Sequence, residues 1–461
     1  ARIGKAFGPV MVIWFLTIGI LGLRGIIQHP SVLMAISPLY GLEYLLLHGM
    51  TGFLVLGGVF LCVTGAEALY ADMGHFGAKP IRLGWYCVVF PSLLLNYAGQ
   101  AALVLEGTPV TENMFYRLCP PALLIPLVIL ATCATIIASQ AIISGAFSMT
   151  RQAIQLGWLP PMPIRQTSEE GYGQIYVGVI NWLLLFATGS LIILFKRSED
   201  LASAYGIAVA ATMLATSVLL YIAMREIWQW SRLLAGFFAG IFILVDATFF
   251  AANMSKIMEG GYIPVTIALL IFLIMYIWHR GTDAIRACLQ EKVMPIDVFM
   301  RQLNNRGIAR VPGTAVFLTK TERDTPSLMN WHVKQNRALH QQLLILRVTT
   351  ESVPWVRDSE RMTARLIAPH IWRADVRYGF MEQPDIPKIL WQVHNFDPMI
   401  DLEHVVYYVG HGTIVPRHDG KAVPEWMEGV YAFMDRNAMH ECDYLQLPPD
   451  SVVEIGRQVA I

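Results

Sequence analysis

Eight apolar segments fill the chain up to about residue 280, at about 7–27, 51–71, 83–105, 122–149, 175–195, 201–223, 233–253 and 262–279. Most approach the roughly 20 residues that a helix needs to cross the hydrocarbon layer of a bilayer. Lipid offers no hydrogen-bond partner to a backbone, so a chain of this kind reads as an α-helical polytopic membrane protein. Composition agrees, since 55% of residues are hydrophobic and 15% charged, too apolar for an ordinary soluble protein. Lys plus Arg and Asp plus Glu both number 34. Net charge therefore offers nothing to nucleic acid, and no basic stripe with interleaved aromatics is present. The cysteines Cys62, Cys87, Cys119, Cys133, Cys288 and Cys442 are scattered without a CxxC pair, and read as apolar residues or free thiols rather than a zinc site or disulfide framework.

The second segment is the unusual one. Its apolar run from Phe53 to Val63 stops at Thr64-Gly65, presents a carboxylate at Glu67 and resumes toward Asp72, Met73, Gly74 and His75. An intramembrane charge costs roughly 2.5–3.5 kcal/mol on insertion scales and usually faces a cavity, a partner or a permeating ion. Gly65 eases local unwinding, and Thr64 and Glu67, three apart, share a face of any helical turn that survives. A broken helix offers carbonyls, a hydroxyl and a carboxylate around one point, the means by which secondary transporters hold small cations. The competing reading is a structural Glu bonded to a neighbouring helix.

From about Thr282 the composition becomes that of a soluble domain. Strand-like runs at 314–318, 343–348, 404–409 and 452–455 alternate with helix-like ones at 327–339, 386–394 and 424–437, which predicts an α/β or α+β domain. The expected division is a transporter domain at 1–281 and a cytoplasmic α/β domain at 282–461. Arg310-Val311-Pro312-Gly313 reads as the turn into it, and Pro448-Pro449-Asp450 as the last turn before the terminal strand. No GxGxxG, P-loop or catalytic cluster is legible there. His370, His404 and His411 match no zinc spacing and read as exposed or structural. Short-loop basic residues give a modest positive-inside bias, with Arg2, Lys5, Lys79, Arg82, Arg151, Arg165, Arg225, Arg232 and Arg280 at inside ends and the C-terminal domain cytoplasmic.

Other polar residues lie within the apolar segments. Asn96 with Gln100, and Thr135 with Ser139, sit four apart and read as interhelical glue, each worth ~0.6 kcal/mol or a little more. Tyr205-Gly206 is either a hydroxyl over a flexible residue at an ion site or an interfacial aromatic anchor. Asp246 is a second deep carboxylate, to be protonated, paired or wet; a structural partner for Asn253 or a neighbouring helix and a role in proton movement are both open. Asp72 reads as a solvated helix-end charge, with a cytoplasmic gate contact as the sharper reading, and His75 receives no proton-relay role.

The run Thr64-Gly65-Ala66-Glu67-Ala68-Leu69-Tyr70-Ala71-Asp72-Met73-Gly74-His75-Phe76-Gly77 closely resembles the signature of the KUP (KUP/HAK/KT) potassium-uptake family, in its bacterial Kup branch. Segments Asn96–Gln100, 137–145, 203–209 and 311–316 each resemble family segments in the expected order, so the similarity covers essentially the whole chain. The resemblance implies twelve helices in an APC-type, LeuT-like inverted-repeat fold, of which this chain carries helices five to twelve. With Ala1 in place of Met and Arg2 and Lys5 too few for a signal peptide, an upstream part holding the rest of the ion site is expected. It further implies proton-coupled potassium uptake across the bacterial inner membrane, with potassium ions and protons as substrates, the lipid bilayer as surroundings, no cofactor and no enzymatic activity. Thr64, Glu67 and Tyr205 become the ion ligands, Glu67 and Asp246 the proton-coupling candidates and Asp72 the gate candidate. A homodimer through the cytoplasmic domain and a nucleotide bound there are further implications. A proton-coupled amino-acid symporter would leave the break apolar and glycine-rich, and Glu67 would repel a substrate carboxylate. A membrane sensor acting through its cytoplasmic domain is the remaining alternative.

Overall fold

The computed structural model describes residues 4–65, 77–107, 109, 113–166, 175–290, 294–305, 307–319, 324–351, 353, 355–379, 382–394, 401–402, 404–415 and 424–460. By its internal contacts the chain divides into two compact units. One comprises Ala1–Phe147, Gln166–Tyr176 and Ile180–Leu269, the other Ser148–Arg165, Val177–Val179 and Leu270–Ile461.

Among the described residues, 8 helices are long and apolar enough to cross a membrane, as the hydropathy pattern predicts. They are α1 (Gly4–Gln28), α2 (Pro38–Val59), α3 (Ala78–Leu105), α4 (Leu124–Gln155), α5 (Gly178–Phe195), α6 (Ser198–Glu226), α7 (Arg232–Met254) and α8 (Tyr262–Gln290). The start of α2 differs from expectation. The stretch read as a loop forms a 3-10 helix over Pro30–Ile36, and α2 begins at Pro38 rather than near 51. Proline at a first helical position forfeits no hydrogen bond, while Glu43 and His48 broke up the apolar signal. Gly49, at φ 49°, kinks the helix where that signal resumes.

In the first unit α1 and α3 cross with almost no side chain between them. A Cβ on Gly22 would fall 2.2 Å from the Leu95 carbonyl oxygen, and one on Gly99 2.6 Å from the Gly22 Cα. Close approach of small residues is what joins helices in lipid, where burial of apolar area drives nothing. The glue expected of Asn96 and Gln100 is present: Asn96 Nδ2 donates to the Ile18 carbonyl at 3.1 Å, and Gln100 Nε2 to Asn96 Oδ1 at 2.7 Å. Thr135 and Ser139 instead stand exposed on α4, and the Thr135 hydroxyl donates to the Thr132 carbonyl of its own helix at 2.9 Å.

The second unit is built on a six-stranded sheet of β1 (Ala309–Thr319), β2 (Ala338–Glu351), β3 (Met362–Ala368), β4 (Ile371–Gly379), β5 (Val405–Val415) and β6 (Val452–Ala460), in the order β6-β5-β1-β2-β4-β3. All neighbours are parallel except β3, which runs antiparallel on β4 at the edge. A parallel sheet needs cover on both faces. Ala315, Phe317, Leu343 and Ile345 pack under Phe299 and Leu303 of α9 (Ile296–Asn305) and Leu328, Met329 and Val333 of α10 (Ser327–Asn336). The alternate residues Val316, Leu344, Leu346, Ala374 and Val376 pack on Ile386, Ile389 and Leu390 of α11 (Ile386–His394). The segment Arg310-Val311-Pro312-Gly313 lies inside β1. It makes a bulge, with the register against β2 shifting between Val311 and Thr314 and Gly313 at φ 97°. Strands β3 and β4 escaped the sequence reading because Arg365, Arg373 and Arg377 interrupt their apolar alternation.

The same unit includes the far ends of two membrane-length helices. Ile277 and Trp278 of α8 pack on Met427 and Tyr431 of α12 (Glu425–Arg436), with the Trp278 and Tyr431 rings stacked at 5.0 Å. Gln155, the last residue of α4, donates from Nε2 to the Glu382 carbonyl at 3.2 Å. The Glu382 carboxylate accepts from the Gly379 amide at 2.6 Å, the Val356 amide at 3.1 Å and Arg361 Nη2 at 2.6 Å. Tyr378 beside it is pushed up to about 12 by burial.

Under α10 the Phe317 and Tyr408 rings stack at 4.6 Å, with the His332 ring 4.8 Å and the His340 ring 5.9 Å from Tyr408. Burial lowers the pKa of both imidazoles, and His340 adds charge repulsion at His332. Below the ordinary histidine value near 6.5 the unfolded chain takes up protons that the fold refuses, so stability is full above that value and falls as pH drops through it. The thermal midpoint of this unit in detergent-solubilised protein should therefore fall between about pH 7.5 and 5.5, and His340→Gln should reduce the fall. An equal fall in the variant would refute the assignment.

Candidate functional site

The break expected in the second segment is present at its expected residues. Helix α2 gives way to a 3-10 turn over Phe60–Val63, Thr64 is extended at φ −86° and ψ 172°, and Gly65 lies at φ 106°, a region open chiefly to glycine. Glu67, Asp72 and His75 lie outside the described residues. A helix that ends leaves its last carbonyls without intrahelical partners. Two are met by hydroxyls: Thr64 Oγ1 donates to the Leu61 carbonyl at 2.9 Å, and the Tyr97 hydroxyl of α3 to the Cys62 carbonyl at 3.5 Å.

The broken end is fixed by α6 and α7. Phe60, fully buried, meets the Phe249 ring at 5.3 Å, and Gly57 backs onto α7, where a Cβ would sit 3.4 Å from the Ala252 carbonyl oxygen. Leu61 reaches α6, its Cδ2 lying 3.8 Å from where a Cβ on Gly206 would be. The structure thus brings the turn before Thr64 onto the residue after Tyr205. Tyr205 stands inside α6 rather than at its opening, since α6 begins at Ser198, and is 40% exposed.

Asp246 is 8% exposed, and its Oδ2 accepts from the Ser217 hydroxyl of α6 at 2.5 Å. Its observed partner is therefore a neighbouring helix and not Asn253, whose Nδ2 donates to the Phe249 carbonyl of its own helix at 2.9 Å. Asn253 lies seven residues along α7, about 10 Å by helical rise, so Asp246 does not share the Gly206 contact. Sequence reading did not name Ser217 and gave Asn253 only as a candidate partner for Asp246; the signal was their placement among buried small residues at helical spacing, with Gly206, Ala210 and Ser217 on α6 and Ala239, Asp246 and Asn253 on α7. Hydroxyls, carbonyls and carboxylates suit a hard cation. Among the described residues no group of three or more His, Cys, Asp and Glu could hold a metal ion.

Comparison with known families places the chain. Residues 1–283 match the family described as K+ potassium transporter integral membrane domain, and residues 312–461 the one described as K+ potassium transporter C-terminal domain. The chain belongs to the K+ potassium transporter family. It is 60% identical to probable potassium transport system protein Kup 1 of Bradyrhizobium sp. (strain ORS 278), over 100% of this chain and 74% of the relative. Identity is 55% to Kup 3 of Legionella pneumophila (strain Lens) and 46% to Kup 1 of Geobacter sulfurreducens, each over 100% of this chain and 73% of the relative. The resemblance carried by Thr64–Gly77 is thereby borne out.

A buried carboxylate held by one hydroxyl predicts a specific loss. Ser217→Ala should destabilise the detergent-solubilised protein by about 1–2 kcal/mol, read as a lower thermal midpoint. Ser217→Thr, which keeps the hydroxyl, should lose much less. Equal midpoints for Ser217→Ala and the parent would show that the bond does not hold α6 to α7.

Proposed function

We propose that this protein takes potassium ions up across the bacterial cytoplasmic membrane by K+:H+ symport. Residues 1–281 form the transporter domain, built on an APC-type, LeuT-like inverted repeat, and residues 282–461 a cytoplasmic α/β domain through which two copies associate. The observation that carries the reading is membership of the potassium transporter family together with a helix break at Thr64-Gly65 in the segment that bears Glu67.

Thr64, Glu67 and Tyr205 bind the ion, Thr64 and Tyr205 through hydroxyl oxygens and Glu67 through a carboxylate that balances the charge. Potassium is large and weakly hydrated, and suits a flexible cage of oxygens. Burial raises the pKa of a carboxylate and an adjacent cation lowers it, so ion and proton compete at Glu67. Symport moves both in one direction and requires a second acid to carry the proton while Glu67 holds the ion. Asp246 is that candidate: it is buried between α6 and α7 and bonded to a hydroxyl that can donate to it or accept from it. Asp72 serves as a cytoplasmic gate contact. The amino-acid symporter is disfavoured by the family match and by the charge that Glu67 would set against a substrate carboxylate.

The test is rubidium uptake by a potassium-uptake-deficient bacterium expressing the full-length protein, at acidic and neutral external pH. Glu67→Gln should raise the half-saturating rubidium concentration at least about tenfold, the lower range for losing a group of an ion's coordination sphere, and should abolish the stimulation of uptake by acid. Acid-stimulated uptake that survives Glu67→Gln would overturn the assignment.

A further inference from the structure

Asn253 is the buried amide of this region, 1% exposed, and lies one residue before the end of α7. Its Nδ2 donates to the Phe249 carbonyl, which turns Oδ1 away from α7. That oxygen points into the junction of three elements. A Cβ on Gly206 of α6 would lie 2.6 Å from it, and a Cβ on Gly57 of α2 3.6 Å. Oδ1 therefore occupies the space that a side chain at position 206 would need. Leu61, three residues before the break, closes the other side of Gly206. Phe60 and Ala252 seal the junction, both wholly buried.

Burying an amide among apolar side chains costs free energy unless its geometry is satisfied. Packing alone would be served as well by Leu or Met, which carry no such cost. What Oδ1 adds is a fixed electronegative stop at the one place where α6 has no side chain, and the stop sets how deep the Tyr205-Gly206 segment seats against the turn that ends at Thr64.

We propose that Asn253 is a positioning residue for potassium: through Gly206 it holds the Tyr205 hydroxyl in register with Thr64 and so sets the affinity of the site. The inference rests on the reading of Thr64 and Tyr205 as ion ligands given above. It assigns Asn253 no contact with the ion.

The geometry makes an unusual prediction about two substitutions. Gly206→Ala drives a methyl group into Oδ1 and displaces the segment. Asn253→Ala removes the stop and lets the segment sink. Each should raise the half-saturating rubidium concentration by about tenfold, as loss of an outer-sphere partner does, with maximal uptake per inserted molecule within about twofold of the parent. Because Asn253→Ala also empties the space that the Gly206→Ala methyl needs, the double variant should be no worse than Asn253→Ala alone.

Rubidium uptake against concentration, normalised to transporter in the membrane, decides it for the parent, both single variants, the double variant and Glu67→Gln. Non-additive losses confined to half-saturation support the proposal. Losses confined to maximal uptake or to the amount inserted, or effects that add, overturn it and leave Asn253 as a packing residue. Failure of the underlying reading has a different signature, since Tyr205→Phe, assayed beside these variants, would then take up rubidium as the parent does.

Discussion

A backbone in hydrocarbon has no solvent to bond to, and each polar group left unpaired there costs several kcal/mol. Everything in the first unit follows from this constraint. It forces the apolar runs into helices, and makes the interruption at Thr64-Gly65 affordable only where carbonyls find other donors. Thr64 serves the Leu61 carbonyl and Tyr97 that of Cys62. The break thus gathers hydroxyl and carbonyl oxygens at one place, and groups of this kind are able to replace water around an alkali cation.

The same absence of solvent removes the ordinary reason for helices to associate. What holds them is close approach of small residues and a few buried polar bonds. Both occur along α6 and α7, where buried Ala210 on one helix and Ala235, Ala239 and Ala252 on the other leave room for the Ser217 and Asp246 bond. The pair meets again at Gly206 and Asn253. Two contacts at separated levels fix rotation as well as separation, so α6 and α7 form one stiff body. The Ser217–Asp246 bond and the Gly206–Asn253 approach thus lie on one helix pair.

Much of this was legible from sequence because membrane-length apolar runs are an unambiguous signal. So was the break, since Thr64-Gly65 interrupts such a run. In the second unit α11 was read at its observed limits, and the strands around Phe317, Ile345, Tyr408 and Val453 were found, because buried parallel strands are nearly continuous in apolar residues. Strand β4 was not, because Arg373 is fully buried within it and Arg347 pairs with Asp375 at 2.6 Å across the ladder; a local pattern cannot tell a paired internal charge from a loop. The bulge at Gly313 was taken for a turn for a related reason: Pro-Gly marks a departure from regular backbone, and the number of residues that depart is set by the neighbouring strand. The role of Asn253 was illegible, as the glycine it meets lies 47 residues away and only the crossing of α6 and α7 makes them neighbours.

Two of the helices are longer than a membrane crossing requires. Helix α4 has 32 residues and α8 has 29, which at about 1.5 Å per residue is over 40 Å, against a hydrocarbon layer of about 30 Å. The surplus on each helix is two turns or more. The stretch of α4 from Ser148 and the stretch Ile277 to Ile285 of α8 belong to the unit that contains the sheet. Within that unit Gln155 of α4 bonds to the Glu382 carbonyl and Trp278 of α8 stacks on Tyr431.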